Sequence, residues 1–138
     1  MTKFSAKGAV ITIDNAADSP QDVSTDCVSF DILEDVNKLD VTGFTDGSQN
    51  FIPGLPVVGL TFEFLYDTHA TSGATTILKG ILNSATPKSV TVKPESAGQT
   101  LSGEYMLESF GVNGTPTGEL KLATAKFAVM GATKPAWA

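Results

Sequence analysis

Histidine, cysteine and clustered carboxylates are the side chains best able to do chemistry at neutral pH. This chain of 138 residues holds one histidine and one cysteine. His69 follows Asp67 and Thr68 just ahead of a helix signal, where it reads as an exposed turn residue. It is the single centre on which a Ser-His-Asp or histidine-metal arrangement could be built. Cys27 as a nucleophile needs His69 or a cation nearby to lower its pKa. Its place at the start of a strand pattern reads instead as a small core residue. A lone cysteine excludes an intramolecular disulfide and a CxxC-type metal cluster. Asp14, Asp18, Asp22 and Asp26 recur every fourth residue, offering oxygen ligands for at most weak calcium binding. They lack the alternating ligands, glycine and distal glutamate of a calcium loop. Glu34 and Asp35 read as a solvated strand end. Gly43, Gly47 and Gly54 have neither the spacing nor the lysine of a phosphate-binding loop. No catalytic constellation emerges, so the expectation is a protein that is not an enzyme, with no cofactor and no metal.

The scaffold that carries these residues is bounded by composition. The length predicts one domain, residues 1–138, large enough to bury a core without covalent staples. A charged fraction of 17% and 13 glycines favour strands and turns over helical bundles. The net charge of −6 argues against a general nucleic-acid-binding surface. It does not exclude DNA as a passenger, because like charge keeps DNA from adhering. No apolar run approaches the length of a membrane span, and no signal-peptide core is read near Met1, so folding in a cytoplasm is expected.

The patterning predicts a mainly β chain. Gly8 to Asp14 reads as a first short strand, closed by polar residues up to Ser19 and by Pro20. From Cys27 to Glu34, Val28, Phe30 and Ile32 alternate with Ser29 and Asp31, the period of a half-buried strand. Val58, Leu60, Phe62, Phe64 and Tyr66 alternate with Gly59, Thr61 and Glu63 and form the best strand in the chain. One helix is predicted over about 71–83. Thr71 or Ser72 is its cap, and Ala74, Ile77, Leu78, Ile81 and Leu82 are its apolar stripe. Gly80 weakens it by roughly 1 kcal/mol, and Pro87 prevents continuation. Strands follow at Ser89 to Lys93, about Gly103 to Val112 and about Glu119 to Met130. Asn113, Gly114 and Thr115 to Gly118 make the last two a hairpin. Residues 131–138, with Pro135 and Trp137, form a C-terminal arm. The expected fold is an antiparallel two-sheet β-sandwich or curved sheet, with one flanking helix and a long loop at about 37–56.

That loop is the anomaly. Its polar, glycine-rich first half (Gly43, Asp46, Gly47, Ser48, Asn50) runs into Phe51-Ile52-Pro53-Gly54-Leu55. Loops this long in a compact domain are functional or disordered, and Phe44, Phe51, Ile52 and Leu55 have little reason to stand in water. Something must cover them, either the body of the domain or another copy of it.

The ordered set of motifs resembles a known family. A short strand ends in Ile13-Asp14, then come Asp22-Val23-Ser24 and a strand. Asp40-Val41-Thr42-Gly43-Phe44, Asp46-Gly47, Phe51-Ile52-Pro53-Gly54-Leu55 and Leu60-Thr61-Phe62-Glu63 follow. This progression, with a helix after it and a closing hairpin, is similar to the major tail tube proteins of long-tailed bacteriophages over nearly the whole chain. The resemblance implies six-copy rings whose inner sheets join into a barrel and stack into a tube that conducts DNA during ejection. It implies that the long loop reaches the neighbouring ring. Asp40, Phe44, Asp46, Phe51, Ile52, Pro53, Gly54 and Leu55 are then contact residues, with Trp137 as a second anchor. Ser29, Asp31, Thr61 and Glu63, and more weakly Glu108, become candidates for the channel wall. An ordinary solvated sheet face accounts for the same periodicity. Implied partners are further copies of the chain and tape-measure, tail-tip or initiator and terminator proteins. DNA passes through the lumen without specific binding, and no membrane is involved. The implied location is the virion tail, assembled in the bacterial host cytoplasm.

Three alternatives stay open. A tail completion or capsid decoration protein has similar β content, and the inner tube of a contractile injection system shares the fold. A secreted carbohydrate-binding module would need a platform of exposed aromatics, and the one tryptophan is Trp137.

Overall fold

The computed structural model describes residues 8–69, 73–95, 98–114 and 122–138. Eight strands and one helix follow in order: β1 (Val10–Asp14), β2 (Pro20–Asp22), β3 (Cys27–Asp40), β4 (Phe51–Leu65), α1 (Ala74–Ile81), β5 (Lys88–Lys93), β6 (Leu101–Asn113), β7 (Leu122–Val129) and β8 (Ala136–Trp137). They form one antiparallel sheet in the order β2-β1-β5-β6-β7-β4-β3, with β8 joined to β6. The mainly β, antiparallel architecture with a single helix is as the patterning predicts. The expected caps Thr71 and Ser72, the turn from Thr115 to Gly118 and the strand start at Glu119 lie outside the described residues.

Strand β6 is the corner of the sheet. Its first half, Leu101 to Tyr105, pairs with β5, and its second half, Tyr105 to Asn113, pairs with β7. A bulge between Leu107 and Ser109 marks the change, and bulges bend and twist the strand that carries them. Two sub-sheets thus share one strand. The alternating residues of both converge on a single core of Ile11, Ile13, Leu60, Phe62, Phe64, Val90, Val92, Leu101, Tyr105 and Phe127. Phe62 and Phe127 meet edge to face at 5.8 Å, and Tyr105 meets Phe127 the same way at 6.5 Å, the geometry the ring quadrupole favours.

Helix α1 has only eight residues, too few to stand alone. Ala74, Ile77, Leu78 and Ile81 are buried against the core and hold it in place. No side chain at the Gly73 cap position serves it. Its first N–H groups are satisfied from other elements: Ala74 N donates to Asp26 Oδ2 at 3.2 Å and Thr75 N to the Asp67 carbonyl at 3.1 Å. Gly73 is required there, because a Cβ would lie 2.5 Å from the Asp67 oxygen.

The segment predicted as a loop over 37–56 is instead mostly strand. β3 and β4 stay paired from Cys27↔Phe64 out to Asp40↔Phe51, leaving only residues 41–50 as the connection. Since β7 accompanies β4 only from Gly59 to Leu65, the outer part is a two-stranded ribbon leaving the body. Pro53, Gly54 and Pro56 suppress the strand signal because proline is admitted to strands only at edges and bulges. Here they sit at a bulge: the register shifts between Val36 and Lys38. A Cβ on Gly54 would come 2.9 Å from the Asn37 oxygen.

The C-terminal arm is also paired. Leu101 and Ser102 face Trp137 and Ala136, and Thr100 and Ala138 exchange N–H···O bonds of 2.8 and 2.9 Å. β2 and β8, of three and two residues, carry no period that sequence can read, and exist because a neighbouring strand offers a ladder.

Candidate assembly surface

The residues best suited to chemistry are committed to structure. The four regularly spaced aspartates serve four separate tasks. Asp14 Oδ2 accepts from Ser89 N at 3.2 Å, and Asp18 Oδ1 meets the buried Lys88 ammonium at 2.6 Å. Asp22 Oδ1 accepts from Ser24 N at 2.9 Å, and Asp26 holds the helix start. Among the described residues no group of three or more His, Cys, Asp or Glu could hold a metal ion. Burial pushes the Cys27 thiol up to about 11, so it stays protonated and unreactive at neutral pH. Asp26 and Asp67 lie side by side with opposite shifts. Burial is the main cause raising Asp26, while the His69 N–H is the main cause lowering Asp67. Each accepts a backbone N–H beside the helix entrance, Asp26 from Ala74 and Asp67 from His69, which places both carboxylates in the fold.

The surface of the sheet opposite the core is polar, and register brings the predicted wall residues together on it. Ser29 stands opposite Glu63 and Asp31 opposite Thr61, with Ser29 Oγ donating to Glu63 Oε2 at 3.3 Å. Across β4, Glu63 faces Thr124 and Thr61 faces Lys126, and Lys126 faces Ser109 in turn. Glu108 lies exposed at the bulge beside Ser109. Sequence reading missed Thr124, Lys126 and Ser109. The alternation of Thr124 and Lys126 with Ala123, Ala125 and Phe127 is the signal that could have found the first two. The patch is thus acidic with one lysine set into it.

The predicted contact residues divide into two groups. Asp40 and Asp46 build the ribbon tip. Asp40 Oδ1 accepts from Thr42 N at 2.9 Å and Thr42 Oγ1 at 2.6 Å, and these bonds hold its carboxyl below the usual range. Asp46 Oδ2 accepts from Gly43 N at 2.7 Å, and Thr42 Oγ1 from Asn50 N at 2.9 Å. The other group is apolar and uncovered. Phe44 is 111% exposed and Leu55 83%, with Ile52 and Phe51 exposed and Pro53 and Gly54 at the ribbon bulge. The Lys38 ammonium lies 4.4 Å from the Phe51 ring centroid. Leu33, Val36, Leu39, Val41 and Val57 extend the apolar surface. A two-stranded ribbon is marginal in water by itself, and these uncovered apolar side chains lie on both of its faces. Trp137 stands apart from the ribbon tip: its Nε1–H donates to Glu34 Oε1 at 3.0 Å, tying the arm to β3.

Besides the three-residue β2 at one end of the sheet, two longer edges remain open among the described residues. β3 pairs only with β4, and among the described residues no strand lies on the β5 side of β6 beyond Tyr105. The sub-sheet β6-β7-β4-β3 therefore carries unpaired N–H and C=O groups on both flanks.

No family model matches the chain, and no curated protein matches it. Solved structures share its fold over its full length. A chain from the tail of an empty gene transfer agent particle, with C6 symmetry, superposes with a TM-score of 0.78 at 14% identity, covering 97% of this chain and 99% of that one. A chain from the virion of the native gene transfer agent particle gives 0.77 at 14% identity with the same coverage. A chain from the six-fold symmetrised baseplate of the anti-feeding prophage gives 0.67 at 10% identity, covering 100% and 97%. No helix among the described residues is long and apolar enough to cross a membrane.

Proposed function

We propose that this chain is a tail tube subunit: a structural, non-enzymatic domain that closes into six-membered rings and stacks into a channel conducting DNA. The observation that carries the reading is the end-to-end fold likeness to a chain from a C6-symmetric tail. The physics of the surface supports it. Closing a sheet between copies pairs the open edges of β3 and β6, which as a free monomer would invite uncontrolled pairing. The face bearing Ser29, Asp31, Thr61, Glu63 and Glu108 then lines the lumen. An acidic wall suits passage, because each basic contact would add counterion-release affinity and retard DNA. The ribbon, with Phe44 and Phe51 to Leu55, becomes a clasp between rings, and tape-measure, initiator and terminator proteins are the partners expected at the tube ends.

A second reading, the inner tube of a contractile injection system, is favoured by the likeness to the anti-feeding prophage baseplate chain. It differs in requiring a sheath protein around the tube.

Electron microscopy of the purified protein, combined with hydrogen exchange, tests the proposal. Tubes or rings with a central channel are expected, with Gly43 to Leu55 exchanging rapidly in the monomer and protected after assembly. A protein that stays monomeric at high concentration and beside a tail initiator would overturn the reading. Equal protection in both states would remove the ribbon from the contact.

A further inference from the structure

Where the ribbon leaves the body it walls one side of a groove of about 570 Å³. Leu55 and Val57 of β4, Ala128 and Val129 of β7, and Ala132 and Lys134 of the C-terminal arm line it. The volume lies within the range of clefts that take a specific ligand, roughly 300–1,000 Å³. Lys134 is the one charged residue lining it. At the other end of the ribbon Phe44 stands fully in solvent, on a turn braced by the Gly43 N to Asp46 Oδ2 bond and the Asp46 N to Gly43 O bond of 3.1 Å. An aromatic knob with an acidic collar, Asp40 and Asp46, is presented at the end of the paired ribbon.

We propose that the groove receives the Phe44 tip of a second copy of this chain, with Asp46 of the incoming tip set against Lys134. The two surfaces are complementary in character, apolar knob to apolar groove, and in charge, carboxylate to ammonium. A copy cannot satisfy its own groove. From Val57 to Phe51 the ribbon extends about 20 Å at roughly 3.3 Å per residue, and its ladder stays paired to the Asp40↔Phe51 register, so the tip is held away from its base. Knob and groove are different surfaces, so the contact is head-to-tail, the kind that propagates into closed rings or open filaments rather than stopping at a two-fold dimer. The inference rests on the self-assembly proposed above and specifies the receptor for the ribbon.

The test uses the full-length protein. Lys134→Glu, at an exposed position, sets a like charge against Asp46 and should raise the concentration needed for assembly by about tenfold or more, whereas Lys134→Arg should leave it unchanged. Phe44→Asp removes the knob and Ala132→Trp fills the groove, so each should form rings through the open strand edges but not stack into tubes. Rings of the two, once formed and mixed, should pair and grow no further, since one retains only grooves and the other only tips. Circular dichroism of each variant should match the parent. If the parent assembles and the groove variants assemble as readily, the groove takes another occupant and the inference falls while the tube reading stands. A parent that never self-associates overturns both.

Discussion

Strand β4 belongs to two regions that obey opposite rules. From Val58 to Phe64 every second side chain is buried, with Leu60, Phe62 and Phe64 fully enclosed. From Phe51 to Val57 none is buried, although Phe51, Ile52, Leu55 and Val57 are just as apolar. The inner half has β3 on one side, β7 on the other and a core beneath, whereas the outer half has β3 alone. Apolar character therefore does not decide burial within one chain; the number of layers at hand does. The inner half stabilises the monomer, and the outer half leaves its apolar side chains uncovered.

The comparison breaks most visibly in the core. Phe127→Ala removes the ring that Phe62 and Tyr105 both pack against, and should destabilise the monomer by about 3–5 kcal/mol in urea unfolding. A loss under about 1 kcal/mol would mean that the core closes over the gap and is not the jigsaw described. Tyr105→Phe should have a smaller and opposite effect. Among the described residues the buried Tyr105 hydroxyl finds no hydrogen-bond partner, and burial followed by the nearby Glu34 charge raises its pKa to about 12. Deleting an unsatisfied hydroxyl removes a desolvation cost, so stability should rise by about 1 kcal/mol. A fall of that size would reveal a hydrogen bond to ordered water. Least affected should be the monomer carrying Phe44→Ala, whose unfolding free energy should stay within about 0.5 kcal/mol of the parent. Its assembly, followed by sedimentation, should be lost. A large stability change with normal assembly would reverse the roles assigned to the two halves.

Much of the body is legible from period alone. Val58 to Phe64 alternates because one face meets a core and the other meets water, and the stripe of Ala74, Ile77, Leu78 and Ile81 follows a single helix face. Tyr66 continues the alternation on paper but lies past the strand end at Leu65, its ring 5.8 Å from the Lys79 ammonium. The ribbon was hidden for a local reason. Pro53, Gly54 and Pro56 are loop residues by propensity, and their place in a strand depends on the bulge that β4 forms at Gly54 and Leu55 opposite Asn37. The helix entrance was hidden for a distant one: Asp26 is 48 residues from the N–H it accepts.

Sequence by itself determined the β-rich class, the core-facing residues, the helix after β4 and the presence of an apolar segment that needs a cover, because these follow from periods of two and 3.6 and from the aversion of apolar side chains to water. Only tertiary structure decided that the segment is a ribbon with a groove at its base, that Ser29, Asp31, Thr61 and Glu63 share a face with Lys126, and that β3 and β6 keep open edges. Those are statements about which strand lies beside which. Pairing joins residues far apart in the chain, and no local pattern encodes the partner.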